Sequence, residues 1–388
     1  MLLTLVSFFA ILGIIVLVHE LGHFFAARRG GIKVDEFGLG IPPRIFGFFK
    51  NSEGRWQMVG MKAKEASSTI WSLNWIPLGG FVKIKGEEGQ NSQDEDSFAH
   101  KSVGRRIWVV SAGVTMNIIL AVILLTVGLI IGSPQIIDEN IPTVARISNQ
   151  EFRIIEVLAD SPAQQAGLAV ADTVLSIDGQ TFKQIFELQD YVNSRADQST
   201  VLEIKRDEET LNIEVTPRLL AETNDIDLGI GLVQTGLVSF PWYVAPFYGV
   251  GETVKMAGAV AVGFYLMLEN LIVNQQLIGE VYGPVGIASL VGDAARLGIL
   301  YLIQLTAALS VIIAVINFLP FPALDGGRVF FLIIEGIRKK PVNQKLEATM
   351  HNIGFALLML LVLIVTYHDI VRISGGFMQW GQKIINLF

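Results

Sequence analysis

The sequence predicts a polytopic α-helical membrane protein with a soluble α+β domain inserted between its membrane parts. Hydrophobic residues make up 51% of the 388 residues and charged residues 17%, and the mean hydropathy is +0.51, which is typical of a chain that crosses a bilayer. Several apolar runs are long enough to span about 30 Å of hydrocarbon as helices. Between two of these runs, the segment 135–218 is rich in Asp and Glu and reads as soluble.

Four transmembrane helices are expected, at about 2–27, 107–131, 299–319 and 353–367. The first lacks a basic leader and a small-residue cleavage site, so we interpret it as a retained helix rather than a signal peptide. Residues 71–85 are broken by Pro77 and by the pair Gly79-Gly80 and are too short to cross. Their β-branched and aromatic residues predict a re-entrant β-hairpin.

These elements divide the chain into four parts, namely an N-terminal membrane part over 1–134, a soluble domain over 135–218, a linker with interfacial or re-entrant helices over 219–297, and a C-terminal membrane part over 298–388. The pattern of the soluble domain predicts strands at 152–158, 172–177, 201–206 and 210–216, and helical segments at 160–168 and 183–193. A domain of this size can fold alone.

Charge and cysteine content exclude several classes of partner and site. The net charge is −7, and no basic stripe interleaved with aromatic residues is present, so nucleic acid is not an expected partner. The chain has no cysteine, which excludes disulfides and thiolate ligands for a metal. Basic clusters at 28–29, 101–106 and 338–345 fall on one side if the chain crosses four times, and the positive-inside rule makes that side cytoplasmic. The acidic domain and both termini are then extracytoplasmic.

The first predicted helix carries the run His19-Glu20-Leu21-Gly22-His23 among apolar residues. Residues four apart share a helix face, so His19 and His23 can bind one metal ion. The carboxylate of Glu20 can then take a proton from the attacking water. Ionisable residues inside a membrane helix are costly and indicate a function. The alternative is a chance occurrence of the pattern on a core helix.

A candidate third ligand is Asp325, which follows a helix break at Pro320 and Pro322. At about 1.5 Å per helical residue, the two imidazoles lie roughly 8–13 Å and Asp325 roughly 18–20 Å from the cytoplasmic surface. Tilt, and the length of the first helix beyond Arg28, can absorb this difference and bring the three side chains to comparable depths. The break frees local backbone and allows the aspartate to point into a protein-lined cavity. Asp325 could instead cap the helix that it starts, and the two roles can coexist. Asn317, one turn before the break, could brace a ligand or donate to substrate backbone.

Three motifs in combination resemble the site-2 protease family, whose members are intramembrane zinc metalloproteases. They are His-Glu-Leu-Gly-His at 19–23, Pro-Leu-Gly-Gly-Phe-Val-Lys at 77–83 and Asn-Phe-Leu-Pro-Phe-Pro-Ala-Leu-Asp-Gly-Gly at 317–327. The layout is similar to the bacterial regulator-of-sigma-E-protease-like branch, in which a PDZ domain lies between the second and third of four membrane helices. Ser-Pro-Ala-Gln-Gln-Ala-Gly-Leu at 161–168 and Asp-Thr-Val-Leu-Ser-Ile-Asp-Gly at 172–179 resemble a circularly permuted PDZ domain.

The resemblance implies roles for individual residues. It implies that one Zn²⁺ ion is bound by His19, His23 and Asp325, and that Glu20 is the general base. It also implies that the segment 71–85 lies beside the substrate, with the substrate-binding candidates Gly79, Gly80, Phe81, Asn117 and Asn317.

Two departures from the family pattern stand out. The family's Ala-Gly-Pro-x-x-Asn reads Ala-Gly-Val-Thr-Met-Asn at 112–117, so a proline is lost while Asn117 is kept. The chain also has room for a single PDZ domain, where the well-known enterobacterial member carries two. Substrate gating is therefore expected to be simpler in this chain.

The expected substrate is a transmembrane segment of a single-pass protein, for example an anti-sigma factor that has already been trimmed. The expected partners are this protein and the lipid bilayer of a bacterial inner membrane, with no small-molecule cofactor. Two other classes compete: a non-catalytic adaptor, which the complete set of base and ligands disfavours, and a transporter with a midplane metal site, which the inserted domain disfavours. His100, His351 and His368 are assigned to loop or interface positions rather than to the ligand set.

Overall fold

The computed structural model describes residues 2–61, 66–87, 89, 92–137, 141–206, 209–220, 225–274 and 281–385. The predicted charged turn at 207–208 and parts of the predicted linker, at 221–224 and 275–280, lie outside this description. The chain forms two compact units. The first combines Met1–Thr126 with Pro246–Phe388, and the second is Val127–Ala245.

The helices, in chain order, are α1 Leu2–Arg29, α2 Val103–Ile131, α3 Pro162–Ala166, α4 Ile185–Ser194, α5 Ala245–Val273, α6 Pro284–Leu297, α7 Ile299–Phe318, α8 Asp325–Arg338 and α9 Gln344–Ile385. The strands are β1 Val34–Lys50, β2 Trp56–Val59, β3 Ile70–Ile84, β4 Ser133–Ile136, β5 Arg146–Val157, β6 Thr173–Ile177, β7 Thr200–Arg206, β8 Glu209–Val215, β9 Arg218–Leu220, β10 Asp225–Asp227 and β11 Ile230–Ser239.

Five helices within the described residues are long and apolar enough to cross a membrane, namely α1, α2, α5, α7 and the Gln344–Arg372 part of α9. A polytopic helical membrane protein is therefore confirmed. The helix beyond the four predicted is α5, which covers a segment predicted to be interfacial or re-entrant. Its glycines, Gly258 and Gly263, lie inside one continuous helix. Helix α9 also starts earlier than predicted, because Gln344 to Asn352 continue its helical pattern toward the N-terminus.

The first unit also contains the three-stranded antiparallel sheet β2-β1-β3. The two arms of the predicted hairpin at 71–85 both belong to β3, but they do not pair with each other. Residue Gly38 of β1 is instead opposite Ser72 on one side and Phe81 on the other, so β1 separates the arms. The hairpin prediction is corrected in this respect. The strand continues through Trp75 to Gly79, where Ile76 is opposite Ile41 of β1, so no tight turn joins the two arms.

The second unit is a six-stranded sheet in the order β4-β11-β5-β6-β7-β8 with helices α3 and α4. Its core is formed by buried apolar side chains from strands and both helices, among them Ile154, Ala163, Ile177, Leu188, Leu202 and Ile204. The sheet extends from Ser133 to Ser239, because β11 lies between β4 and β5 and pairs with both. The predicted domain limits of 135 and 218 stay a prediction.

Asp172, immediately before β6, has a buried carboxylate that forms an ion pair in the second unit. Its carboxylate is 1% exposed and accepts two hydrogen bonds of 2.7 Å from Arg206 and one of 2.8 Å from the Ala169 N–H. Burial alone would raise the pKa of the Asp172 carboxyl. The Arg206 and Ala169 donors outweigh burial and hold this pKa below its usual value, because they stabilise the charged form.

We expect Asp172→Asn to destabilise the second unit by about 2 kcal/mol at neutral pH. Because the folded-state pKa lies below the unfolded value of about 3.9, the stabilisation is complete above that value and disappears as the pH falls through the lower, folded value. Hydrogen exchange of the β6 amides should therefore differ between variant and wild type at pH 7, and the difference should shrink below about pH 4. Asp190→Asn on exposed α4 is the control. If the difference in hydrogen exchange between Asp172→Asn and wild type were the same at all pH values, the charged form of Asp172 would not be what stabilises the unit.

Candidate metal centre

Helix α1 places His19 and His23 one turn apart on its buried face. Each residue is 8% exposed, and the two Nε2 atoms are 3.2 Å apart. The helix contains no proline, and its many Leu, Ile, Val and Phe residues continue the apolar pattern through the pair, so the helix extends to Arg29. Both ring nitrogens therefore face the same point, as the spacing predicts.

Asp325 reaches that point from the other end of the chain. Its Oδ2 lies 3.0 Å from His19 Nε2 and 3.4 Å from His23 Nε2. The break predicted at the prolines is present, since α7 ends at Phe318 and α8 begins at Asp325. Leu324, not Asp325, is the N-cap residue of α8, so the aspartate side chain is left for the imidazoles.

The glycines after Asp325 permit this tight loop. A Cβ on Gly326 would lie 2.2 Å from the Leu319 carbonyl oxygen, and one on Gly327 would lie 2.3 Å from the Phe321 carbonyl oxygen. No side chain fits at either distance. The Asp-Gly-Gly sequence is therefore needed for α8 to fold back against the loop that precedes it.

The far side of each imidazole is held by α2. His23 Nδ1 donates to the Val109 carbonyl oxygen at 3.0 Å, which leaves a lone pair on His23 Nε2. His19 Nδ1 lies 3.4 Å from the Asn117 side-chain amide, whose Oδ1 has no partner. Because the two ends of an amide have the same shape, turning it by 180° lets Oδ1 accept from His19 Nδ1–H. Both Nε2 atoms are then acceptors that face Asp325.

The donor set fits a zinc ion. Two imidazole lone pairs and a carboxylate oxygen face one another across 3.0, 3.2 and 3.4 Å, and Asp325 Oδ2 has no hydrogen-bond partner. Such an arrangement is repulsive unless a cation lies among the three atoms. Tetrahedral Zn²⁺ with bonds of about 2.0–2.1 Å separates its ligand atoms by about 3.3 Å. Among the described residues, His19, His23 and Asp325 form the one group with metal-site spacing.

Gly113 of α2 keeps the space beside the histidines open. A Cβ at Gly113 would lie 2.4 Å from His23 Nε2 and 2.8 Å from His19 Nε2. The helices themselves meet where Gly22 faces Ala112, since a Cβ at Gly22 would lie 2.3 Å from the Ala112 carbonyl oxygen. Small residues of this kind let membrane helices approach closely.

Glu20 and the three candidate ligands line one cavity of about 460 Å³. Its other walls come from β3 and the turn that follows it, from α2, from α8 and the loop before it, and from α9. They include Phe81, Glu87, Val109, Ala323, Arg328, His351 and Phe355. Glu87 forms an ion pair with Arg328. A proton acceptor and a group of metal-facing side chains thus lie together in one cavity beside apolar residues such as Phe81 and Val109, which is the chemistry of a hydrolytic site.

The predicted substrate-binding residues fall into two groups. Gly79, Gly80 and Phe81 lie beside the site: a Cβ at Gly80 would be 3.7 Å from Glu20 Cγ, one at Gly79 would be 3.0 Å from Val16, and Phe81 lines the cavity.

Asn117 and Asn317 are placed differently. Asn117 is fully buried behind His19, and Ser310 donates to its carbonyl oxygen at 2.8 Å. Its position is therefore that of a support for a ligand. Asn317 is partly buried in the last turn of α7 and is not among the described residues that line the cavity.

Sequence reasoning did not identify Gly113, the Glu87–Arg328 pair or the position of His351. The run 112–117 was singled out for Asn117 alone, although its Ala-Gly pair opposite Gly22 carries the small-residue signal of close helix packing. No local pattern links Glu87 to Arg328, because 240 residues separate them and their contact depends on the tertiary fold.

The sequence profile of peptidase family M50 matches residues 7–361. The chain is 30% identical to the regulator of sigma-W protease RasP of Bacillus subtilis (strain 168), over 95% of this chain and 99% of that protein. It is 28% identical to the zinc metalloprotease RasP of Bacillus licheniformis, over 95% and 99% of the two chains. The zinc metalloprotease RasP of Geobacillus kaustophilus is also 28% identical, over 95% of this chain and 98% of that protein.

Solved structures resemble part of the chain. The PDZ domain of an SdrC-like protein from Listeria monocytogenes is 22% identical and covers 22% of this chain and 92% of its own, with a TM-score of 0.21. The corresponding domain from Listeria innocua is 25% identical over 21% and 92%, with a TM-score of 0.20. At these TM-scores the likeness supports no argument about the site.

Proposed function

The chain belongs to peptidase family M50 and is a multi-pass membrane zinc metalloprotease, and from this premise we propose that it cuts peptide bonds inside the transmembrane segments of single-pass membrane proteins. We propose that Zn²⁺ is held by His19, His23 and Asp325, with Glu20 as the general base. The observation that carries the proposal is that these three acceptors, from two distant parts of the chain, lie within 4.8 Å of one another beside Glu20.

Several residues of the chain have separate roles in the hydrolysis. Bound in this position, zinc supplies polarisation of the scissile carbonyl and a lower pKa for the attacking water. Glu20 takes the water proton and passes it to the leaving amine, as a general base and then a general acid. Asn117 and the Val109 carbonyl hold the two imidazoles in the tautomer that turns Nε2 toward the metal. Apolar side chains such as Phe81 and Val109 lie beside these groups in the cavity.

The substrate helix must unwind before its backbone can react, because its peptide bonds are shielded by their own hydrogen bonds. The second arm of β3, Gly80 to Ile84, pairs with β1 on one side, and its Phe81, Val82 and Ile84 line the cavity. We propose that the unwound segment adds to this arm as a further strand, which replaces the backbone hydrogen bonds it has lost. The position of Gly80 against Glu20 supports this path.

We further propose that the active site opens toward the cytoplasm and that the second unit is an extracytoplasmic PDZ domain. Within the first unit, Arg106 of α2 pairs with Glu335 of α8, and Arg105 packs against the Gly30 end of α1. These contacts bring the basic ends of three helices to one side, which supports a cytoplasmic assignment. A pre-trimmed anti-sigma factor is the substrate that the relative named for sigma-W regulation suggests.

The test is cleavage of a single-pass membrane reporter by the purified protein. We expect mass spectrometry of the products to place the cut inside the apolar segment, and we expect a zinc chelator to abolish the cut and added zinc to restore it. A non-catalytic adaptor would bind the reporter and leave it intact. A cut found solely outside the apolar segment would also contradict the proposal.

A further inference from the structure

His351, on α9, holds the loop that carries Asp325. Ala323 has a φ of +77°, a left-handed conformation that is unfavourable for a residue with a Cβ. The Ala323 N–H donates to His351 Nδ1 at 2.9 Å. One turn further along α9, Gly354 approaches so closely that a Cβ there would lie 2.4 Å from the Pro322 carbonyl oxygen. Helix α9 therefore fixes the strained loop at two successive residues.

This contact settles which nitrogen of His351 carries the proton. Nδ1 can accept from Ala323 only with a free lone pair, so the ring is neutral and its hydrogen is on Nε2. Nε2 is excluded from solvent and has no hydrogen-bond partner. The side chain lines the same cavity as Glu20. A buried donor without a partner is expensive, which indicates that a ligand of the cavity completes it.

Several other polar groups of the cavity are already engaged. The guanidinium of Arg328 is paired with Glu87, and the three metal-facing acceptors are directed at one another. Of the buried side-chain atoms without a partner in the described part of the chain, two belong to residues that line this cavity, Asp325 Oδ2 and His351 Nε2. The first is an acceptor that fits the metal. The second is a donor, so it needs an acceptor from outside.

We propose that His351 is a substrate-binding residue whose Nε2–H donates to a backbone carbonyl oxygen of the unwound substrate segment. This inference rests on the proposed function. A membrane-spanning segment that unwinds exposes carbonyl groups, and in a cavity walled by Phe81, Val109 and Phe355 each carbonyl without a donor is costly. A neutral imidazole donor suits this neutral acceptor, and it stabilises the bound segment without adding a charge.

Two amide substitutions separate the two nitrogens of His351. In His351→Asn the side-chain oxygen occupies the place of Nδ1, so the contact to Ala323 is kept and the donor is lost. In His351→Gln the amide nitrogen occupies the place of Nε2, so the donor is kept. We expect His351→Asn to retain one zinc per chain and an unchanged kcat, and to raise the KM for the single-pass reporter about 10-fold. We expect His351→Gln to keep KM within about 2-fold of wild type.

Binding is measured separately from turnover in the Glu20→Gln background. There, His351→Asn should weaken the equilibrium binding of a fluorescent reporter segment by the same factor of about 10. His368→Asn is the matched control, since His368 lies exposed on the same helix. Cleavage by wild type together with its loss in Glu20→Gln tests the proposed function itself, so a failure there is distinguishable from a failure of the His351 assignment.

Three results would overturn the assignment. One is wild-type KM and binding in His351→Asn. The second is a raised KM in His351→Gln together with a wild-type KM in His351→Asn. That result would show that His351 acts only by accepting the Ala323 hydrogen bond. The third is loss of zinc or of a cooperative melting transition in both variants, which would make the residue structural.

Discussion

Replacing Glu20 by Gln is expected to abolish cleavage of the membrane reporter while the protein still binds one zinc per chain. The substitution keeps the shape of the side chain beside Gly80, so the packing of α1 against β3 is preserved. It removes the group that takes the proton from the attacking water, a contribution of about 10²- to 10⁴-fold in rate. Reporter turnover, followed by gel analysis, and zinc content, measured by mass spectrometry of the metal, check the two halves of the prediction.

The matched control is Glu269→Gln, which makes the same chemical change on the exposed surface of α5. Its turnover should equal that of the wild type. Retained turnover in Glu20→Gln would remove Glu20 from the role of base. Loss of zinc in the same variant would show that the carboxylate supports the metal site, which is a different role.

The local part of the site could be predicted from the sequence, because it depends on geometry that the helix itself sets. Residues four apart on α1 share a face whatever surrounds them, so His19 and His23 could be paired from the sequence alone. The double-proline break likewise acts locally, and it placed Asp325 at the start of α8.

The contacts that support the site could not be predicted in the same way. Asn117 was interpreted as a substrate-binding candidate because the sequence does not show which helix its side chain faces. The structure buries it against His19, since α2 packs on α1 through Gly22. That packing depends on Gly22 and Ala112, which lie 90 residues apart in the sequence.

The pairing of the strands also could not be predicted from local sequence patterns. The segment that forms β1 contains Pro42 and Pro43, which argue against a strand, so its local sequence does not predict one. The arms of β3 were expected to pair across Gly79 and Gly80, yet β1 lies between them. In the second unit, β11 enters the sheet from beyond the predicted domain end. Register of this kind is decided by long-range burial rather than by turn residues.

Gly113→Ala is expected to eliminate zinc binding and turnover together. The added Cβ would lie 2.4 Å from His23 Nε2, which is closer than any such contact can be, so either an imidazole or α2 must move. Movement of α2 also breaks the supports of the imidazoles at Val109 and Asn117, whose loss alone weakens metal binding by about 10- to 100-fold. We therefore expect zinc affinity to fall at least about 100-fold, measured by competition with a chelating dye.

Gly104→Ala provides the control on the same helix, because a Cβ at Gly104 has no neighbour within 4 Å. It should leave zinc binding and turnover unchanged. If Gly113→Ala bound zinc as tightly as Gly104→Ala, the metal would have to sit away from the paired Nε2 atoms. A glycine that contacts both imidazoles is therefore a sharper test of where the metal lies than removal of a ligand. A ligand variant removes a donor atom, whereas Gly113→Ala keeps all three donor atoms and changes the space between them.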